Sequence, residues 1–176
     1  MVHKILVALD QSEMSTQVFE QAISLAKDTH ASLMLLNVLS PFEKAYSSAS
    51  YPGSNGVFFG ASEQTVQFYV EHWKRLEQES IEWLRSLEAK AIKAGVEPEF
   101  THSVGDPGSV ICALAQTWEA DLIIMGRRGL SGLSELFLGS VSNYVLHHAP
   151  CSVLTVQEPR PSSQGTTQTT QTATTS

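Results

Sequence analysis

With 176 residues and a net charge of −7, the chain is long enough to bury the core of one domain and acidic enough to exclude several functions. A general nucleic-acid binder needs a basic face, and binding to anionic membranes needs basic clusters, so we expect neither as a partner. Cys112 and Cys151 are too few for a disulfide framework, the N-terminus lacks a secretory signal pattern, and no apolar run is long enough to span a bilayer. We therefore expect a soluble, cytoplasmic protein.

The chain opens with a strand, a helix and a second strand. KILVAL at 4–9 and SLMLLNVL at 32–39 are nearly continuous apolar runs, which is typical of strands buried on both faces of a parallel sheet. Between them, apolar residues repeat at helical spacing over 13–28. Ser12 is the expected N-cap of that helix.

The middle of the chain adds two helices around a weaker strand. A helical stripe over 65–94 ends at Gly95, a typical stop signal. EPEFTHSV at 97–104 alternates polar and apolar residues, which favours a strand nearer an edge of the sheet. The helix predicted over 107–119 starts at Asp106–Pro107, a strong pairing of N-cap and first helical residue.

The pattern over 121–156 again predicts a strand, a helix and a strand. DLIIMG at 121–126 is a third continuous apolar run, and CSVLTV at 151–156 is a fourth. A helix is expected between them, from about 139 to about 148. Strict alternation of strands and helices predicts an α/β fold with a parallel sheet and helices on both faces.

Two segments do not match regular structure. Residues 40–64 are rich in serine, glycine and aromatic residues and exceed an ordinary loop in length, so we interpret them as a functional flap or a partly disordered insertion. Residues 158–176 have almost no apolar side chains and cannot offset their ordering entropy by burial. We expect one domain over 1–157 followed by a disordered tail.

A ligand site is expected at the carboxyl ends of the strands, where an open parallel sheet binds ligands at the point of strand-order reversal. If the first and fourth strands are neighbours there, Asp10 faces the loop that starts at Gly126. Gly126 and Gly129 allow the backbone to turn sharply and to approach a ligand closely.

The start of the last helix supplies the other half of this site. Gly139 and Ser140 fall at its N-terminus, where unpaired N–H groups and a partial positive charge suit phosphate. The hydroxyls of Ser140 and Ser142 can add donors. Two glycine-bearing elements could therefore hold one polyphosphate from two sides.

Three other binding motifs do not match the sequence, and some of the nominated residues also have simpler interpretations. The P-loop pattern is absent, no G-x-G-x-x-G follows the first strand, and the strand run DLIIM weakens a helix-turn-helix over 107–148. Asp10 can instead be a turn or N-cap residue, and Arg127–Arg128 can be a solvated pair. No nucleophile–base pair or metal-ligand cluster identifies an enzyme.

The spacing Gly126-x2-Gly129-x9-Gly139-Ser140 resembles the G-2X-G-9X-G-[ST] signature of the ATP-binding universal stress proteins. Residues 1–157 resemble that family throughout, with ILVALD-x-S at the start, G-D-P before a helix, and the D-L-I-I-M-G and A-P-C-S-V-L-T-V strands. The resemblance implies a Rossmann-like (HUP-type) five-stranded parallel sheet of order 3-2-1-4-5, with ATP at the junction of strands one and four.

The resemblance also implies which residues hold the nucleotide. Asp10 and the backbone of Ala8 and Val38 would face the adenine and ribose, and Met125 and Gly126 would lie under the ribose. The residues implied for the phosphates, with Arg127 added as a candidate, are Gly129, Gly139, Ser140, Val141 and Ser142. Many ATP-binding relatives carry proline in place of Ala8, but this residue contributes backbone, so we expect little loss. Mg²⁺ or Mn²⁺ can accompany the phosphates.

The resemblance further implies a homodimer through the last strand, Cys151–Val156, and an apolar edge strand must in any case be covered or paired. The favoured function is an ATP-binding sensor or switch of the stress response, with an unidentified downstream protein partner. One alternative is a slow ATPase or self-phosphorylating enzyme. Another is an interaction protein that binds AMP or cAMP, because the predicted site does not show how many phosphates its ligand carries.

Overall fold

A parallel sheet organises the chain in a computed structural model, which describes residues 1–40, 63–127 and 138–157. In chain order the elements are β1 (Lys4–Leu9), α1 (Met14–Thr29), β2 (Ser32–Leu39), α2 (Glu63–Lys93), β3 (Pro98–Val104), α3 (Pro107–Thr117), β4 (Leu122–Gly126), α4 (Ser140–His148) and β5 (Ser152–Val156). Within those ranges, no helix has the length and apolar character that crossing a bilayer requires.

The sheet has the strand order β3-β2-β1-β4-β5, and all of its neighbouring strands are parallel. This confirms the predicted order and places the alternating strand β3 at an edge. β1 lies in the centre, where Ile5, Leu6 and Val7 are fully buried. The continuous apolar run of β1 is explained by this position, because both faces of a central parallel strand are covered.

Helices cover both faces of the sheet, as predicted. On one face, Ile5 and Val7 belong to a core shared with α1 and α2, which contains Leu84. On the other face, Leu6 belongs to a second core shared with α3 and α4, which contains Val145. Because successive strand residues point to opposite faces, one apolar run supplies both cores.

The structure confirms the sequence signals at the start of α3 and at the end of α2. Asp106 is the N-cap of α3, and its Oδ2 accepts from Ser109 N at 2.9 Å. This bond and a second one from the Ser109 hydroxyl lower the pKa of the Asp106 carboxyl, despite an opposing effect of burial. Gly95 follows α2 with φ +84°, and its N–H donates to Ile92 O at 2.9 Å.

The expected N-cap of α1 is wrong. Glu13 occupies that position without a side-chain capping bond. Ser12 instead donates its hydroxyl to Asp10 Oδ1, and its N–H reaches the same oxygen at 3.1 Å. A carboxylate two residues away competes successfully for the hydroxyl, as short polar side chains often do in turns.

The predicted segments without regular structure are only partly tested. Residues 63–64 of the predicted insertion 40–64 belong to α2, which begins two residues earlier than expected. Residues 41–62 and the predicted tail at 158–176 lie outside the described residues.

A buried polar link fastens α2 to the carboxyl ends of β1 and β2. Asn37 Nδ2 donates to Leu9 O at 2.8 Å, and Ser80 Oγ donates to Asn37 Oδ1 at 2.7 Å. Asn37 is 4% exposed and Ser80 is 0% exposed. Because a buried polar atom that loses its partner keeps its desolvation cost, this link fixes how α2 lies against the sheet.

Replacing Ser80 by alanine should lower the free energy of unfolding by about 1–3 kcal/mol, because Asn37 Oδ1 then stays buried without a donor. Ser86→Ala on the same helix is the matched control. Ser86 is exposed and donates to Trp83 O, so its replacement should change stability by less than about 0.5 kcal/mol. Urea unfolding followed by circular dichroism gives both values, and equal losses would contradict the role of the buried link.

Candidate functional site

A crevice opens at the carboxyl edge of the sheet, where β1 separates β2 from β4. It measures about 740 Å³ when its solvent-open mouth is included. Its walls come from the ends of β1, β2 and β4 and from the first turns of α1, α3 and α4. This is the position at which open α/β sheets bind ligands, because the helices leave toward opposite faces there.

The crevice brings together most of the residues that the sequence nominated. The nominated residues that line it are Ala8, Asp10, Val38, Met125, Gly126, Gly139, Ser140, Val141 and Ser142. Arg127 lies just beyond the lining, where its Nη1 donates to Gln157 Oε1 at 2.9 Å. Gly129 and Arg128 lie outside the described residues.

Several lining residues were missed by the sequence interpretation. They are Leu9, Met14, Ser15, Val18, Leu36, Pro107 and Ile111. Their common signal is position, because each lies near the end of a predicted strand or in the first turns of a predicted helix. Leu36 and Met125, 0% and 4% exposed, give the crevice an apolar floor that suits a flat apolar group.

One wall of the crevice is the N-terminus of α4, which is fastened to the end of β4. Gly139 N donates to Arg127 O at 3.0 Å. Ser142 is 2% exposed, and its hydroxyl lies 2.9 Å from both Gly126 O and Arg127 O. The Ser142 side chain therefore joins α4 to β4 within the protein.

Among the described residues, no side chain caps the N–H groups at the start of α4. Gly139 is the N-cap and makes no side-chain capping bond, and the first turn has no acidic residue. Asn143 N donates to Gly139 O at 2.9 Å, so the N–H groups of Ser140, Val141 and Ser142 precede the first intrahelical bond. Three such groups and the helix dipole favour an anion at this wall.

The opposite wall carries Asp10, whose carboxylate is held in a tight turn. Its Oδ1 accepts from Ser12 N, from the Ser12 hydroxyl and, at 2.8 Å, from Ser15 Oγ. Asp10 is the one ionisable side chain among the described residues that line the crevice. Such a fixed carboxylate can accept hydrogen bonds from hydroxyl or amino groups of a ligand.

The tilt of α4 is set by a close contact with α3. A Cβ atom added to Gly108 would lie 2.7 Å from Cδ1 of Tyr144. The Tyr144 ring also stacks on His148, with centroids 4.1 Å apart. The absence of a side chain at Gly108 therefore allows α4 to approach α3 and to present its N-terminus to the crevice.

The chemistry of the crevice suits binding more clearly than catalysis. It offers an apolar floor, a fixed carboxylate at one wall and a helix N-terminus at the other, so it fits an elongated ligand with a flat apolar part and an anionic end. In residues 1–40, 63–127 and 138–157, no group of three or more His, Cys, Asp or Glu side chains could hold a metal ion.

A parallel α/β sheet with a ligand crevice at its switch point defines the class of Rossmann-like binding domains. Within that class, the model of the universal stress protein family matches residues 1–157. The chain belongs to the universal stress protein family.

Two curated relatives agree with this assignment. Universal stress protein Sll1388 of Synechocystis sp. is 44% identical over 155 residues, which cover 88% of this chain and 97% of that protein. Universal stress protein YxiE of Bacillus subtilis is 32% identical over 162 residues, which cover 89% of this chain and 100% of that protein.

Solved structures of the family share the fold. UspA from Lactobacillus plantarum has a TM-score of 0.70 at 23% identity and covers 89% of this chain and 98% of its own. A universal stress protein in complex with cAMP has a TM-score of 0.57 at 23% identity, covering 88% of this chain and 96% of its own. The protein from Archaeoglobus fulgidus in complex with dAMP has a TM-score of 0.57 at 20% identity, covering 89% of this chain and 100% of its own.

Ser142→Ala should lower the free energy of unfolding by about 1–2 kcal/mol, because the buried donor that joins α4 to the end of β4 is lost. The control is Ser140→Ala in the same turn. Ser140 is exposed, so its replacement should stay within about 0.5 kcal/mol of the unsubstituted protein. Urea unfolding of the two variants measures the difference. If both lose equal stability, the Ser142 hydroxyl does not join the two elements.

Proposed function

We propose that the crevice binds an adenine nucleotide, with ATP as the first candidate, and that the protein acts as a nucleotide-dependent sensor or switch in a stress response. The observation that carries the proposal is the uncapped N-terminus of α4 at one wall of an apolar-floored crevice. An unidentified downstream protein would respond to the bound state.

The proposed roles are those that the family resemblance implies for the residues that line the crevice. Asp10 and the main chain of Ala8 and Val38 face the base and ribose, and Met125 lies beneath the ribose. Gly126 also lies beneath the ribose. The phosphates bind at the α4 wall, through Gly139, Ser140, Val141 and Ser142, with Gly129 added from the signature alone. Mg²⁺ or Mn²⁺ is proposed to enter with the phosphates, whose oxygens both ions prefer.

AMP or cAMP is the second candidate ligand. Family members of the same fold were solved in complex with cAMP and with dAMP. Calorimetric titration of the purified protein with ATP, AMP and cAMP ranks the candidates, and mass spectrometry of nucleotide released from denatured protein identifies what is carried from the cell. Absence of binding to all three would overturn the proposed function.

Ser140→Asp should weaken nucleotide binding at least about tenfold relative to Ser140→Asn. The two side chains have nearly the same shape, but the carboxylate places a negative charge beside the phosphates, at a cost of about 1.4 kcal/mol or more. An aspartate in the first turn also interacts favourably with the helix dipole, so the Asp variant should be at least as stable as the Asn variant.

Calorimetry gives the two affinities, and thermal unfolding without nucleotide checks stability. If the two variants bind equally well, the phosphates do not lie at the start of α4.

Binding without rapid turnover is the proposed mode of action, and a slow ATPase or self-phosphorylating enzyme is the alternative. Asp10 is the one ionisable side chain among the described lining residues, so no second acid or base stands beside it there to assist turnover. Product formation clearly above that of a Gly139→Val control would favour the enzyme.

A homodimer through β5 is part of the proposal. β5 is an edge strand of the sheet, and Leu154 at its centre is 39% exposed. A second copy that pairs with this edge would cover both the strand and its apolar side chain. The cytoplasm is the proposed location, since Cys112 and Cys151 are both free thiols.

Leu154→Lys should convert the dimer to a monomer, because a lysine on an edge strand opposes pairing with another strand. The matched control is Ile92→Lys, which is 52% exposed and lies on α2, the helix that packs against β3 at the opposite edge of the sheet. Analytical ultracentrifugation should find the control dimeric. A dimeric Leu154→Lys variant would place the interface elsewhere, and a monomeric unsubstituted protein would overturn the dimer.

A further inference from the structure

The crevice has little positive charge for a ligand with several phosphates. Asp10 is the one ionisable residue among its described lining residues, and it is an acid. The N-terminus of α4 supplies the equivalent of about half a positive charge. A triphosphate with one divalent metal ion still carries net negative charge, which a further cation would offset.

Arg127 is a cation next to the α4 wall, and its main chain lies at the junction of three elements. Its N–H donates to Val156 O of β5 at 2.8 Å. Its carbonyl accepts from Gly139 N at 3.0 Å and from the Ser142 hydroxyl at 2.9 Å. The Arg127 backbone is thus fixed beside the N-terminus of α4, next to the wall proposed for the phosphates.

The guanidinium of Arg127 has a partner that it can exchange. Its Nη1 donates to Gln157 Oε1 at 2.9 Å, an exposed contact with a neutral oxygen. Among the residues that the structure describes, no carboxylate forms an ion pair with Arg127. A phosphate oxygen is a stronger acceptor for a guanidinium than an amide oxygen is, since both partners are then charged.

The position of Arg127 along the sheet edge separates it from the first phosphate. Val38 lies near the end of β2, Asp10 follows β1, and Gly126 ends β4, so a nucleoside placed against the first two has its first phosphate near the third. Arg127 directly follows Gly126, but its guanidinium lies further along, at Gln157 just after β5. Val38 and β5 are three strand spacings apart, or about 14 Å. A ligand must therefore continue beyond its first phosphate to reach this side chain.

We propose that Arg127 is a specificity-determining residue of the proposed nucleotide site. Its guanidinium leaves Gln157 and binds the terminal phosphates of a di- or triphosphate, and it makes no such contact with a monophosphate. The inference rests on the proposed nucleotide binding and deepens it, because it sets the preference of the site between ATP and AMP.

The test is the ratio of the ATP and AMP affinities, measured by calorimetry on the full chain. Arg127→Met should weaken ATP binding about tenfold and leave AMP binding within about twofold. Arg128→Met removes the same charge from the next residue and should leave the ratio unchanged. The inference is overturned if Arg127→Met weakens both ligands equally or neither, or if Arg128→Met alone changes the ratio.

Gln157 offers an independent test that leaves Arg127 intact. Gln157→Glu replaces a neutral acceptor by a charged one that retains the guanidinium, so ATP affinity should fall about threefold while AMP affinity stays unchanged. Gln157→Ala should leave ATP affinity equal or higher. Equal effects of the two substitutions on ATP would count against the exchange of partners.

The outcomes distinguish this inference about Arg127 from the proposed nucleotide binding on which it rests. If the unsubstituted protein binds neither ATP nor AMP, both proposals fail together. If it binds nucleotides but the ratio does not respond to Arg127→Met, the inference about Arg127 fails and the nucleotide site stands.

Discussion

The parallel pairing of β1 with β2 on one side and with β4 on the other is the constraint on which the site depends. From β1 the chain passes through α1 on one face, whereas it reaches β4 through α3 on the opposite face. The first turns of these helices therefore separate at the carboxyl edge and leave a crevice between them. The apolar runs that bury β1 thus also determine where a ligand can bind.

Much of the fold could be predicted because its signals are local. Continuous apolar runs fixed the central strands, alternation placed β3 at an edge, and Asp106 located the start of α3. The N-cap of α1 could not be predicted in the same way. The Ser12 side chain can either cap the helix or donate to the Asp10 carboxylate, and it does the latter. The link from Ser80 to Asn37 joins residues 43 positions apart, so no local pattern contains it.

The site shows the same division between local and long-range information. The glycine spacing and the predicted strand ends nominated Gly126 and Gly139, and both line the crevice. The sequence suggested a free donor at Ser142, whereas its hydroxyl contacts the carbonyls at the end of β4. The orientation of a serine side chain at a helix start depends on how close another element lies in the folded protein. The spacing of residues in the sequence does not give that distance.

The electrostatics of the crevice explain how an acidic protein can offer a site for an anion. The anion wall is built from main-chain N–H groups of α4, whose orientation is fixed by hydrogen bonds to β4 and by the contact of Tyr144 with Gly108. Such groups cost no reorganisation when a ligand arrives, and their effect does not depend on the net charge of the chain. The carbonyl of Arg127 holds this wall, while its N–H holds the end of β5. One residue therefore joins the α4 wall to the end of the edge strand, which is the surface proposed to meet a second copy.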